Sequence, residues 1–334
     1  MEYMKIGHTD INASAITFGA MPIGGGTWWS GSDDKVSIDT IQRAYDLGIN
    51  TIDTAPISAL GHSEEVVGKA IAGQRDKYVI STKATFDWDT GEGRFWHEVD
   101  GHKVYVAHGY KDIIKDCENS LKRLGTDYID IYYTHNPVRD PAWLEKYPVE
   151  DTVRALMDLK KAGKIRCIGS SNVDPEHIEA YMACGCEIDI IQRKYTILAR
   201  GVEENILPIC EKYGMTFHAY APIERGLLTG TVTKDRVVPP GDAREDQAWW
   251  APDKLPHAID FVDGLKDICE EYHCTQTDLA IAFSRHNRPY VNVIYGARKI
   301  KHLEAGAATV NVTLRDDTVA EIRRRAEELE AKYG

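Results

Sequence analysis

The chain has 334 residues and a mass of 37.5 kDa, and 43% of its residues are hydrophobic, enough for one sizeable core at a length an α/β barrel can reach as a single domain. A formal charge of -12 and a pI near 5.5 turn the surface against nucleic acid and anionic membranes, both of which are negatively charged. No apolar run approaches the roughly 18 residues of a membrane helix, and residues 1–10 lack the basic and apolar regions of a secretory signal, so a soluble cytoplasmic protein is expected.

Apolar, strand-like runs at 15–19, 51–55, 78–83, 128–135, 165–172, 188–195, 215–222 and 291–298 alternate with amphipathic helical runs at 36–47, 113–124, 149–161, 175–184, 203–213 and 277–286. Gly48, Gly125, Gly163, Gly185 and Gly214 stand where helix C-caps belong. Strand and helix repeated eight times predict an α/β fold, a (β/α)8 barrel, spanning 1–334 as one domain. A doubly wound open sheet would need a Gly-x-Gly-x-x-Gly turn after the first strand, a spacing that Gly24-Gly25-Gly26-Thr27-Trp28-Trp29 does not supply. Two long loops, about 84–109 and 230–256, follow strands and so belong on the face where a barrel keeps its chemistry. The seven cysteines (Cys117, Cys167, Cys184, Cys186, Cys210, Cys269 and Cys274) are odd in number and scattered, and read as reduced thiols. Cys184-Gly185-Cys186 has no second ligand pair nearby, and His97, His102 and His108 fit no helical or hairpin pairing, so no metal site is expected.

The densest stretch runs from Asn50 to Glu65. A strand ends in Asp53, Pro56 breaks the chain, and Ser63, followed by Glu64 and Glu65, reads as a helix N-cap with acids in the first turn. Two further strands finish in ionisable groups, Lys83 within Ser81-Thr82-Lys83 and His135 within Tyr133-Thr134-His135-Asn136-Pro137. Taken singly, each has an ordinary reading: a loop-capping Asp, a solvated Lys, a structural His.

Taken together they resemble the aldo-keto reductases. Asp53, Thr54, Ala55, Pro56, Gly61, Ser63 and Glu64 match that family's DTAPxYGxGxSE signature, while its tyrosine place is Ser58 and the glycine after it is Ala59. The resemblance implies a catalytic set of Asp53, Lys83 and His135, with Ser58 in place of the proton-donating tyrosine. Serine is shorter and far less acidic than a phenol, which leaves three outcomes: a water relay held by Ser58, Lys83 and His135, Lys83 or His135 acting as the acid-base group, or feeble catalysis. Hydride transfer to a carbonyl builds negative charge on oxygen, so a proton donor and cations or hydrogen-bond donors aimed at that oxygen suit the chemistry.

The same resemblance assigns cofactor contacts. Ser171, Asn172 and Gln192 fall where the nicotinamide carboxamide is held, and Tyr220 where a ring stacks on the nicotinamide. Residues 221–230, with Pro222, Gly226 and Leu228, resemble the pyrophosphate loop. Gly296, Arg298, Lys299 and His302 resemble the adenosine segment, and Gly24 and Asp53 complete the set. Arg298 and Lys299 suggest a 2′-phosphate, hence NADP(H), although His302, Ala305 and Gly306 depart from the family pattern.

All seven tryptophans fall in strand-to-helix connections. Trp28, Trp29, Trp88, Trp96 and Trp249 suggest an aromatic-walled substrate pocket, and the polar residues among them suit a sugar or glycoside; equally, these rings could pack the long loops down. The expected function is therefore NADP(H)-dependent oxidoreduction of a carbohydrate-like carbonyl or alcohol. The alternatives are a redox-neutral sugar epimerase with tightly held NADP and a catalytically weak nicotinamide-binding regulatory subunit. A small-molecule partner is expected, with neither nucleic acid nor membrane.

Overall fold

The computed structural model describes residues 1–307 and 311–334. Eight parallel strands close into a barrel in chain order: β1 (Ile16–Gly19), β2 (Thr51–Asp53), β3 (Val79–Ala84), β4 (Ile129–Thr134), β5 (Ile165–Ser171), β6 (Ile188–Lys194), β7 (Thr216–Tyr220) and β8 (Val291–Gly296). They are rich in Ile, Val and Tyr and buried along most of their length, as strands with helices outside and side chains inside must be. Closure in this order is the (β/α)8 barrel expected from the alternating pattern.

Helices mostly follow the expected runs. Val149–Lys161 coincides with its prediction, and Tyr110–Leu124 starts three residues early because Asp112 accepts the Gly109 N–H at 3.0 Å and caps the end. The run 203–213 is broken into Val202–Asn205 and Leu207–Tyr213, where Pro208 has no N–H to continue the first ladder. Gly48, Gly125, Gly163, Gly185 and Gly214 all take positive φ at helix ends, as their positions required. Ser63 is not an N-cap: the helix His62–Ile71 begins after Gly61, at φ 95°, and the Ser63 hydroxyl instead bonds Ala20 O and Thr54 Oγ1, both at 2.8 Å, pinning the helix start to the β1 and β2 ends.

The amino-terminal end of the barrel is plugged. A hairpin of Tyr3–Lys5 and Asn12–Ser14 brings Ile6, Ile11 and Ala13 against Val79, Ile131, Tyr133, Cys167 and Ile190. At the opposite end, the 84–109 connection is not an irregular loop. It forms an antiparallel sheet of Phe86–Asp87, His102–Val106 and Arg94–Val99, whose buried face carries Phe86, Val99, Val104 and Val106 over Ala55 and Ile57. No helix among the described residues is long and apolar enough to cross a membrane.

Candidate active site

Asp53 closes β2 and Lys83 lies one residue before the end of β3, so the two side chains meet at the carboxyl-terminal mouth. The Lys83 ammonium lies 3.0 and 2.9 Å from the two Asp53 oxygens and donates to Thr54 O at 2.7 Å, which commits its three protons within the protein. Burial drives the Asp53 carboxyl upward, but the Lys83 charge and the Ser81 hydroxyl, which donates at 2.6 Å, outweigh it and hold the group below the usual carboxylate range. His135 follows β4, and its backbone N–H donates to Ala84 O at 3.3 Å, tying it beside Lys83. Burial first, and then the positive charge of Lys83, push the imidazole down to about 3, so it is neutral at physiological pH. The site therefore holds one compensated ion pair beside a neutral imidazole.

Ser58 lies beyond Pro56 in the turn that leads to Gly61, and it is 2% exposed. Its hydroxyl and the His135 Nδ1 are both buried without a hydrogen-bond partner. Two unsatisfied polar atoms at one barrel mouth are costly unless something else bonds them. Around them stands a run of rings: His135 packs edge-on to Phe86 at 4.9 Å between centroids, Phe86 lies 4.7 Å from Trp96, and Trp96 lies 6.3 Å from Trp28. The other tryptophans make further contacts of their own. Trp29 lies beneath the Arg244 and Arg298 guanidinium groups, and Trp88 packs against the lid sheet beside Arg123. Trp249 and Trp250 are buried in the main core, and Trp143 stacks on Tyr147 within its own short helix. Trp28 and Trp96 thus stand with Phe86 beside His135, Trp88 packs on the same lid cluster, and the Trp29 indole N–H is buried without a hydrogen-bond partner. Asp87, held by Lys115 and Thr90, and His108, bonded to Asn136 O at 2.6 Å, are committed to structure.

The candidate cofactor residues gather on the same mouth. Asn172, at φ 55°, places its amide between His135 O (2.9 Å) and the Tyr220 hydroxyl (2.8 Å). Gln192 donates to Asp53 Oδ1 at 3.0 Å, and Ser171 Oγ reaches the Gln192 backbone carbonyl at 3.1 Å. After β7 the chain turns through left-handed conformations at Ala221, Glu224, Arg225 and Gly226, which exposes backbone around Gly226 while Pro222, Leu227 and Leu228 point into the core. Leu228 consequently offers a ligand only its backbone. Gly24 packs where a Cβ would meet the Ser63 side chain at 3.0 Å, so its part is close approach. Beyond Gly296, Arg298 donates to Ser30 O at 2.8 Å, and Lys299 and His302 are exposed at the start of the helix Ile300–Ala307. The loop around Gly226 and the cations at that helix start suit the phosphates of a dinucleotide, and the Ser171, Asn172 and Gln192 amides and hydroxyl suit a carboxamide.

A sequence model of the Aldo/keto reductase family matches residues 15–327. The chain belongs to that family. Among its relatives, the NADH-specific methylglyoxal reductase of Escherichia coli (strain K12) is 38% identical over 99% of this chain and 100% of its own, and the aldo-keto reductase YhdN of Bacillus subtilis (strain 168) is 36% identical over 96% and 92%. The solved structure of the glycerol dehydrogenase AKR11B4 from Gluconobacter oxydans superposes with a TM-score of 0.84 at 29% identity, covering 99% of this chain and 95% of that one. As a member of the aldo-keto reductases, which use nicotinamide cofactors, the chain is of the oxidoreductase class.

One residue of the site escaped the sequence reading. His218, inside β7, is 1% exposed and faces Asp53 across the barrel. The signal available was strand alternation, since His218 lies two residues before Tyr220 and pairs in register with Gln192.

Proposed function

We propose that this aldo-keto reductase transfers hydride between a nicotinamide nucleotide and the carbonyl carbon of a small hydroxylated, carbohydrate-like substrate. The observation that carries the reading is the buried Asp53–Lys83 pair beside a neutral His135, with the Ser58 hydroxyl and His135 Nδ1 both unpartnered at the mouth. A bound nicotinamide supplies the hydride. Asn172, Gln192, Ser171 and Tyr220 orient it, and Lys83 and His135 flank the substrate oxygen. Asp53 pairs with Lys83 and holds it in place, so the ammonium faces developing negative charge on that oxygen. Ser58 is too short to be a phenol substitute, and it holds a water that carries the proton from solvent to the alkoxide. Trp28, Trp96 and Phe86 give apolar faces for the C–H side of a sugar, leaving the polar atoms for its hydroxyls.

The preference for NADP(H) is supported by charge. Arg298, Lys299, Lys301 and His302 crowd the start of the helix Ile300–Ala307, where cations oppose the helix dipole unless an anion joins them, and this crowding with burial lowers the His302 pKa. A 2′-phosphate is such an anion. The E. coli relative is named NADH-specific, so the comparison of the two nucleotides is decisive rather than formal.

A redox-neutral epimerase is the second reading, and one observation favours it: three separate connections are pinned together over the mouth. Asp100, at the lid-sheet tip, accepts from Thr27 N at 2.7 Å and Thr27 Oγ1 at 2.5 Å, while Ala243 N donates to Trp28 O at 3.3 Å. A closed lid suits a nucleotide that stays bound while hydride leaves and returns to one substrate. The experiment is to denature the purified protein, identify any released nucleotide, and measure its exchange with added NADPH and NADH. Freely exchanging NADPH, preferred over NADH, supports the reductase; non-exchanging NADP supports the epimerase; affinity for neither nucleotide overturns both.

A further inference from the structure

Beneath Asp53 and Lys83, the barrel interior holds a polar layer of which the proposed chemistry uses only Gln192. The Tyr133 hydroxyl lies 2.9 Å from His218 Nδ1, joining β4 to β7 across the barrel. Its ring occupies the space over Gly169 of β5, where any side chain would overlap it. Gln192 Nε2 lies 3.0 Å from Asp53 Oδ1 and 3.4 Å from the same His218 Nδ1. Asn292 of β8 faces the imidazole, anchored by Thr17 Oγ1 at 2.8 Å and by its own donation to Ser14 O at 2.8 Å. The charged groups facing His218 are Asp53 and Lys83, with Tyr133, Gln192 and Asn292 as its uncharged neighbours.

Donor and acceptor logic orders this layer. Asp53 is held ionised and can only accept, so the Gln192 group facing it must be the NH2. The second N–H of that NH2 is turned to His218 Nδ1, which must then carry a lone pair. The Tyr133 hydroxyl, at 2.9 Å, is the closer donor to that single lone pair, and the imidazole proton then sits on Nε2, which is buried without a hydrogen-bond partner. A flipped Gln192 amide would aim its oxygen at the carboxylate and at the Nδ1 lone pair together. The orientation of one amide, and with it the third hydrogen bond on Asp53 Oδ1, is thus held from above by the Asp53 carboxylate and from below by the His218 Nδ1 lone pair, which the Tyr133 hydroxyl also faces.

We propose that His218, held by Tyr133, is a positioning residue that fixes the Gln192 amide and through it the hydrogen bond that this amide donates to Asp53 under Lys83. Its bearing on catalysis rests on the reductase reading above, whereas the charge of Asp53 can be measured without any substrate. Because Gln192 is also a candidate carboxamide partner, the same lock presents its oxygen toward Ser171 Oγ, 3.5 Å away, in a fixed sense for the nucleotide.

The test compares His218→Leu, which removes the acceptor, with His218→Asn, whose side-chain oxygen replaces Nδ1, and with Tyr133→Phe, which removes the hydroxyl facing Nδ1. The Asp53 carboxyl is followed by carbon NMR titration of protein labelled at aspartate, and its signal is assigned from Asp53→Asn. In His218→Leu the Asp53 titration is expected to move up by about one pH unit, a tenfold change in proton affinity, with His218→Asn restoring the wild-type position. NADPH affinity, read by tryptophan fluorescence, weakens in the Leu variant and recovers in the Asn variant. If methylglyoxal reduction is measurable, the low-pH limb of kcat shifts with the Asp53 titration while KM stays near wild type. An Asp53 titration unchanged in His218→Leu and Tyr133→Phe, both folded, overturns the proposal. Absence of carbonyl reduction in the wild type, with Asp53 still shifted by His218→Leu, overturns only the reductase reading.

Discussion

At the scale of residues, the site rests on an ion pair that neither partner could occupy alone. Lys83 and Asp53 are each under 10% exposed, and every Lys83 proton is directed at a protein acceptor. Removing one member of such a pair leaves an uncompensated buried charge, which costs about 3–5 kcal/mol, whereas removing both costs much less. Lys83→Met is therefore expected to lower unfolding free energy by about 3 kcal/mol, and Lys83→Met with Asp53→Asn to recover most of that loss, both read from urea denaturation midpoints. Equal losses in the single and double variants would show the pair is not coupled. Ser58 permits a complementary gain. If the scaffold lacks only a phenol, Ser58→Tyr with Ala59→Gly should raise NADPH-dependent reduction of simple aldehydes by about 10²–10⁴-fold, the usual range for a positioned acid. Ala59 stands at φ 51°, so the glycine also relieves strain in the turn that must carry the larger side chain. Normal nucleotide affinity without any gain in rate would show that the pocket is not arranged for the phenol.

Among elements, those easiest to read in the sequence were the ones whose burial is set locally. All eight barrel strands and the helix C-caps were legible, because β-branched runs and glycines at positive φ declare themselves within a few residues. Asp53, Lys83 and His135 stand out in the sequence only through the family resemblance, since a strand-end Asp, Lys or His taken singly reads as an ordinary capping, solvated or structural residue; the structure brings them together at the barrel mouth. Ser63 was misread because its partners, Ala20 O and Thr54 Oγ1, are tertiary, and a cap pattern cannot see them. His218 and Tyr133 were invisible for the same cause, since their bond crosses the barrel between strands that are not neighbours. The lid sheet reads as loop in the sequence, because its turns at Gly91, Gly93 and Gly101 hide the short strands beside them. Its tip gives the prediction that belongs to this scale. Asp100 accepts two hydrogen bonds from Thr27 at an exposed position, and loss of about 1–2 kcal/mol there would shift lid opening roughly 5–30-fold. Asp100→Ala should speed NADPH dissociation by about that factor in stopped-flow fluorescence, with little change in Tm. An unaltered dissociation rate would separate the lid tip from nucleotide release.

Across the whole molecule, the interior sets a stability optimum in pH. His108, His135 and His218 are buried in neutral form, with pKa values pushed by burial to about 4, about 3 and about 4. Unfolding lets each take up a proton below the ordinary histidine value of about 6.5, so the unfolded state binds more protons there and stability rises with pH across roughly 4 to 6.5. Asp116 acts in the opposite sense. Burial pushes its carboxyl up to about 8, with Asp87 and Asp112 adding to the rise, and it accepts the Thr85 N–H at 2.8 Å. The folded state keeps this proton while the unfolded carboxyl loses it above about 4, so stability falls as pH rises from there to about 8. Between about pH 4 and 6.5 three histidines oppose one aspartate and the net slope is upward; above about 6.5 the aspartate acts alone and the slope reverses. Calorimetric Tm should therefore peak near pH 6.5, falling steeply on the acid side and gently on the alkaline side. Asp116→Asn keeps an acceptor for Thr85 N–H and removes the titration, so it should flatten the decline between pH 6.5 and 8 while leaving the acid limb intact. An alkaline limb unchanged in that variant would place the carboxyl's proton loss elsewhere in the barrel, and a Tm that keeps rising from pH 6.5 to 8 in the wild type would show Asp116 ionised in the fold.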